Sequence, residues 1–185
     1  MNIMQITNSA ISQLVIVDMQ VKLAVAMPTI SMQQVTKNCG ILAQVALIFD
    51  VPTLFTEQYP VGLGETLPEI KQFLGSLSPI TKTAFSACHE SKFNQRLSRD
   101  RSQLILTGME AHVCVLQTAV ALLQLGKQVF VVEDAIISRN EPNKNNALAR
   151  MREAGCVITN TESVIFEWLG NANHEHAKTL FNLIK

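Results

Sequence analysis

Residues Ser102 to Gly126, SQLILTGMEAHVCVLQTAVALLQLG, decide how this chain is read. Leu104 to Leu106 form a short apolar run with a β-branched isoleucine inside it, and Thr107-Gly108 end the run, so a buried strand feeds a tight turn. Beyond the turn, Val115, Thr118, Ala119, Leu122 and Leu125 recur at helical spacing, and Gly126 offers the left-handed position that commonly stops a helix. Cys114 falls in the first turn or so of that helix. A thiol there faces unpaired backbone N–H groups, which favour the thiolate and lower the pKa from its free value of ~8.5. The alternative is structural: cysteine is among the most often buried residue types, and Val113, Val115 and Leu116 surround this one. The choice turns on whether a charge partner and a base arrive at the same end of one sheet.

Outward from this stretch, strands and helices alternate. QLVIV, from Gln13 to Val17, is a continuous apolar run rich in β-branched residues, the pattern of a strand covered on both faces, and it ends at Asp18. From Ser31 to Phe49, apolar residues recur at helical spacing. PTLFT, from Pro52 to Thr56, is a second short strand, with proline at the first position, where a strand tolerates it. Glu57 to Leu67 reads as a loop; its GLG lacks the third glycine of a dinucleotide fingerprint. Pro68 to Leu74 is a short helix, SPITK from Ser78 to Lys82 a very short strand, and His89 to Leu97 a polar surface helix. QVFVV is the next strand and ends at Glu133-Asp134. Pro142 to Ala154 is a helix with Gly155 at its end, Cys156 to Thr159 the last strand, and amphipathic segments from Glu162 to Leu169 and His174 to Ile184 follow. The pattern predicts a three-layer α/β sandwich, with a mainly parallel, Rossmann-like sheet flanked by helices, as a single domain over residues 1–185.

Composition narrows the function. The formal net charge is +0 and only 5% of residues are aromatic, so neither a phosphate-tracking patch nor a base-stacking surface is expected, and nucleic acid is not a partner. Hydrophobic residues make up 48% of the chain and charged ones 16%, more apolar than a solvated monomer surface needs, which predicts a homo-oligomer. The apolar segments are too short to span a bilayer, and MNIMQITNSA has neither the basic region nor the apolar core of a signal peptide. No membrane partner and a cytoplasmic location are therefore expected. Cys39, Cys88, Cys114 and Cys156 lie far apart without a Cys-x-x-Cys pair, so no zinc site or redox motif is indicated. Cys39 and Cys156 read as core.

In open parallel sheets, ligands bind beyond the carboxyl ends of the strands. Asp18, Lys82 and Cys114 each follow or end a predicted strand there. Taken singly, Asp18 could cap a turn and Lys82 could be a solvated surface lysine. Together they are chemically coherent: the carboxylate can take the thiol's proton, and the ammonium stabilises both anions.

The same residues carry a family resemblance. LVIVDMQ around Asp18, TKTAFSA around Lys82 and GMEAHVCVLQTA around Cys114 resemble the signature segments of the isochorismatase-like cysteine hydrolases, which include nicotinamidases. The resemblance runs from about Ser12 to Asn160, and TEQYPVGLGETLPE resembles the isochorismatase-domain subgroup. It implies Cys114 as nucleophile, Asp18 as proton acceptor and donor, and Lys82 as charge balance. It also implies a cis peptide at Met109-Glu110, which helps aim the N–H groups of Glu110 and Cys114 at an oxyanion. Metal-using nicotinamidases carry Asp-x-His and a further His after the second strand, where this chain has Thr56, Glu57, Gln58 and Tyr59. No metal and no cofactor are therefore expected, and nicotinamide is disfavoured. The retained Cys114 points away from isochorismate and toward acyl transfer. Gln20, Glu57, Gln58 and Tyr59 lie just beyond strands one and two and are candidates for the substrate pocket, with His112 as a pocket wall. The resulting expectation is a metal-independent hydrolase of a small amide or related acyl compound. A catalytically silent binding or scaffold protein on the same fold is the alternative, and a redox-sensing thiol a further one.

Overall fold

The structure is a computed structural model that describes residues 6–184. Six strands, β1 (Ser12–Val17), β2 (Thr53–Gln58), β3 (Ile80–Lys82), β4 (Gln103–Met109), β5 (Gln128–Ile137) and β6 (Val157–Thr159), form one sheet in the order β3-β2-β1-β4-β5-β6. Every pairing is parallel. The connections carry α1 (Val21–Ala24), α2 (Thr29–Ile48), α3 (Pro60–Leu63), α4 (Pro68–Lys71), α5 (Ser91–Arg96), α6 (Leu116–Gln124), α7 (Glu141–Ala154), α8 (Thr161–Leu169) and α9 (Ala177–Leu183).

Side-chain alternation along the strands sorts the interior into two layers. Leu14, Ile16, Ile105, Phe130 and Val132 pack against α2, α8 and α9 through Val35, Leu42, Ile165, Trp168 and Leu180. Val15, Val17, Leu104, Leu106, Val129 and Val131 face the other way, onto Phe93 of α5, Leu116 and Leu122 of α6, and Met151 of α7. Burial on both faces is why these strands read as unbroken apolar runs. Helix ends follow local rules: Gly155 after α7 is left-handed at φ 106°, and the Cys156 N–H closes back on Met151 O at 2.9 Å. At the start of α8, Asn160 Oδ1 accepts the Ser163 N–H at 2.8 Å.

Two sequence expectations change. The fifth strand does not end at Glu133-Asp134 but continues to Ile137, because the pairing slips from Leu106 opposite Val131 to Gly108 opposite Ile136. The slip lets one strand bulge and still run on, and Asp134 Oδ1 binds the Thr161 N–H and hydroxyl, each at 2.8 Å. The predicted loop from Glu57 contains the single turn α3, opened by Pro60 at its first position, which suits the fixed proline φ.

The order in which strands are added reverses at the junction of β1 and β4, and the carboxyl ends of these two parallel strands meet there, with Val17 opposite Gly108. Gly108 has φ 115°, and a Cβ built on it would lie 2.0 Å from Val17 O. Only glycine permits this approach. Gly108→Ala is expected to cost about 3 kcal/mol or more, since backbone rather than a flexible side chain must yield; a urea midpoint equal to that of the parent would disprove the constraint.

Candidate active site

Asp18 leaves β1 with a left-handed backbone, φ 49°. Strict alternation after Val17 would aim its side chain at the α2 layer. The left-handed turn instead brings the carboxylate to Thr56 and Lys82, which share the opposite face with Leu54 and Ile80. Aspartate tolerates this conformation better than most residues. The Asp18 N–H donates to Thr56 O at 3.1 Å and to Thr56 Oγ1 at 3.2 Å. The Thr56 hydroxyl donates to Asp18 Oδ1 at 2.7 Å.

The side chains of Lys82 and Asp18 are each 0% exposed, and Lys82 Nζ lies 2.7 Å from Asp18 Oδ2. The ammonium also donates to Gln58 Oε1, to Phe85 O at 3.1 Å and to Ala84 O at 3.3 Å. Asp18 Oδ2 makes an ion pair with Lys82 but no aligned hydrogen bond, which leaves it open as a proton acceptor.

Cys114 sits in a wide turn, Ala111–Val115, in which the Val115 N–H reaches Glu110 O at 3.2 Å, five residues back. The α-helix proper starts at Leu116, so the thiol precedes it rather than lying in its first turn. Sγ is 4.0 Å from Gln58 Oε1 and interacts with both Asp18 and Lys82. Burial pushes the thiol up to about 12; the Asp18 charge adds to this and the Lys82 charge opposes it. The direction is opposite to the expected lowering, because loss of water around the thiolate and the Asp18 charge outweigh the Lys82 charge. At neutral pH Cys114 is a protonated thiol beside a carboxylate.

The remaining candidates divide. Gln58 joins the cluster, with its Oε1 toward Lys82 and Cys114 and its Nε2 donating to Thr83 O at 2.8 Å. Gln20 is a buried clamp: it accepts the Gln58 N–H at 2.7 Å and donates to Gln58 O at 3.0 Å and Gly64 O at 2.6 Å. Glu57 points to the other face of β2, where Oε1 binds the Thr66 N–H and hydroxyl, each at 2.8 Å. Tyr59, 56% exposed, borders a surface hollow with Pro60, Thr83 and Glu90. His112 lies 2.9 Å from Ser138 Oγ and lines a separate cleft with Ser86, His89 and Gln117. The Met109-Glu110 peptide is cis. The Glu110 carboxylate grips Arg139 through Nε at 3.1 Å and Nη2 at 3.1 Å, so only its main chain faces the question of oxyanion binding.

Thr56 is the residue that sequence reasoning passed over. Alternation along β2 from the buried Leu54 puts Thr56 and Gln58 on one face and Glu57 on the other, and that signal was available. The Ala84 and Phe85 carbonyls carry no sequence signal. Cys39 and Cys156 are buried core residues. Cys88 is half-buried and rests against Thr118. Among the described residues, no group of three or more His, Cys, Asp or Glu side chains converges to hold a metal ion, and no helix is long and apolar enough to cross a membrane.

Comparison with known proteins sets this cluster in a family. Residues 12–163 match the isochorismatase domain. Isochorismatase domain-containing protein 2 of Danio rerio is 38% identical over 175 residues, spanning 94% of this chain and 86% of that protein. The structure of MAR1 ribonuclease from Caenorhabditis elegans superposes with a TM-score of 0.90 at 37% identity, over 96% of this chain and 91% of that one. The YcaC gene product of Escherichia coli, an octameric hydrolase of unknown specificity, gives a TM-score of 0.90 at 26% identity, over 96% of this chain and 90% of that one. With the parallel sheet, the strand-end cluster and these matches in agreement, the chain belongs to the isochorismatase family, whose hydrolases it resembles throughout.

Proposed function

We propose that this chain is a metal-independent cysteine hydrolase that cleaves a small amide or related acyl compound through a thioester at Cys114. The observation that carries the reading is the convergence of a buried thiol, a carboxylate with an open oxygen and an ammonium 2.7 Å from that oxygen. In this reaction Cys114 Sγ attacks the acyl carbon while Asp18 Oδ2 takes the thiol proton. The backbone N–H groups of Glu110 and Cys114 bind the oxyanion. Asp18 returns the proton to the departing nitrogen, the C–N bond breaks and the amine leaves. Water then attacks the thioester as Asp18 removes its proton; the acid departs and the thiol reforms. Lys82, 2.7 Å from Oδ2, balances the Asp18 charge whenever the proton is on the reacting groups. Since the thiol is neutral at rest, attack and proton transfer are concerted, as in base-assisted rather than pre-ionised nucleophiles.

The donor set at the end of β2 supports the metal-independent reading, because Glu57 is engaged by Thr66 and its neighbours there are Thr56, Gln58 and Tyr59. The ribonuclease name belongs to the Caenorhabditis elegans neighbour. A formal net charge of +0 gives the chain as a whole no attraction to a polyanion, which favours a small acyl substrate over RNA. Self-association is part of the proposal: Val25, Ile30 and Val61 are 84% to 85% exposed, and the Escherichia coli neighbour is octameric. Light scattering is expected to give a mass that is a multiple of the chain's 20.4 kDa; a monomer would remove this part.

A panel of small primary amides, read by ammonia release and by mass of the Cys114 peptide, tests the main reading. Turnover is expected with a transient acyl adduct on Cys114, and Cys114→Ala is expected to lower it by about 10³-fold or more. Full activity in that variant would refute the nucleophile; an intact fold with no turnover on any acyl compound would favour the silent scaffold. The charge environment is tested separately by thiolate ultraviolet absorbance, referenced to Cys114→Ala. Asp18→Asn is expected to lower the thiol's midpoint from about 12, since the carboxylate raises it. An unmoved midpoint would take Asp18 out of reach of the sulfur.

A further inference from the structure

Asp18 has two carboxylate oxygens, and the proposed chemistry needs a defined one to receive protons. We infer that Thr56 makes that choice: it is a positioning residue that occupies Asp18 Oδ1 and thereby commits Oδ2, beside Lys82, to proton transfer with the thiol. This rests on the reading of Asp18 as the base.

The geometry is specific. The Thr56 hydroxyl is a donor to Oδ1 at 2.7 Å and an acceptor from the Asp18 N–H at 3.2 Å, so both its proton and a lone pair are spent on the same residue. The Thr56 carbonyl takes that N–H as well, at 3.1 Å. These bonds hold both ends of a residue whose backbone is left-handed, at φ 49°. Thr56 is 1% exposed and Asp18 0%, so bulk solvent does not reach Oδ1. Oδ2 is the oxygen without an aligned hydrogen bond, and Lys82 lies 2.7 Å from it. Free rotation of the carboxylate would exchange the two oxygens; the hydroxyl on Oδ1 prevents it. Serine preserves the donor, whereas valine preserves the shape and removes it.

The test is hydrolysis of p-nitrophenyl acetate by the whole protein, in which a burst reports acylation of Cys114 and the steady state reports deacylation, the step that needs Asp18 as base for water. Thr56→Val is expected to slow the steady state by about 10- to 100-fold, as for loss of a hydrogen bond to a charged group. The burst amplitude should stay near one per chain. Thr56→Ser is expected to restore the rate. Thr56→Ala serves as the second variant if valine does not fold, as judged by thermal melting. A steady state equal to the parent's in the hydroxyl-free variant, with Asp18→Asn inactive, would overturn the role of Thr56 alone. Asp18→Asn turning over like the parent, or a parent without any burst at Cys114, would overturn the base or thioester reading and the Thr56 proposal with it.

Discussion

A fully buried ion pair, Asp18 with Lys82, is the constraint on which the rest of this structure depends. Taking two charges out of water costs several kcal/mol per ion, which their attraction offsets only when the remaining protons and lone pairs are satisfied. Here most of them are: Lys82 also reaches Gln58, Ala84 and Phe85, and Thr56 serves Asp18 Oδ1, which leaves only Oδ2 with the ion pair alone. The pair thus organises the end of β2 and the chain that leaves β3. Removing one partner would strand a charge in the interior, so the cluster holds together as a unit.

The sheet order makes this pair possible. With β1 between β2 and β4, the residue leaving β1 is adjacent to side chains from the ends of β2 and β3 on one side and to the turn after β4 on the other. The approach of Gly108 to Val17 O sets how near the Cys114 turn comes to Asp18. Gln20 then ties the ends of β1 and β2 to the loop at Gly64 through main-chain bonds. These contacts are to backbone, so they fix positions rather than chemistry.

The state of the thiol follows from competition between two effects. Backbone N–H groups near a helix start favour a thiolate, and burial disfavours it. Desolvation leads, Asp18 adds to it and Lys82 only partly opposes it, so the proton stays on sulfur. A thiol held protonated in this way weighs against a redox-sensing role, which needs an accessible thiolate. The two other buried thiols, Cys39 and Cys156, are likewise pushed up to about 12 by burial, but without charged partners of the Lys82 kind.

The sequence by itself determined the layered architecture, because strands buried on both faces must be apolar throughout while helices show their own period, and QLVIV, QLIL and QVFVV are too uniform to be anything else. It also brought Asp18, Lys82 and Cys114 into one account, since each lies at a strand's carboxyl end and their chemistry is complementary. Only the tertiary structure decided which neighbours matter. Gln20, Glu57 and His112 have the right position along the chain, but the direction of each side chain is set by contacts with Gly64, Thr66 and Ser138, residues remote in sequence or on the far side of a turn. Thr56 shows the converse: alternation gave its face, but its distance to Asp18 depends on a left-handed backbone at Asp18 that no periodicity encodes. The thiol's protonation was beyond sequence for the same reason, since desolvation is a property of everything packed around the sulfur and not of the residues beside it in the chain.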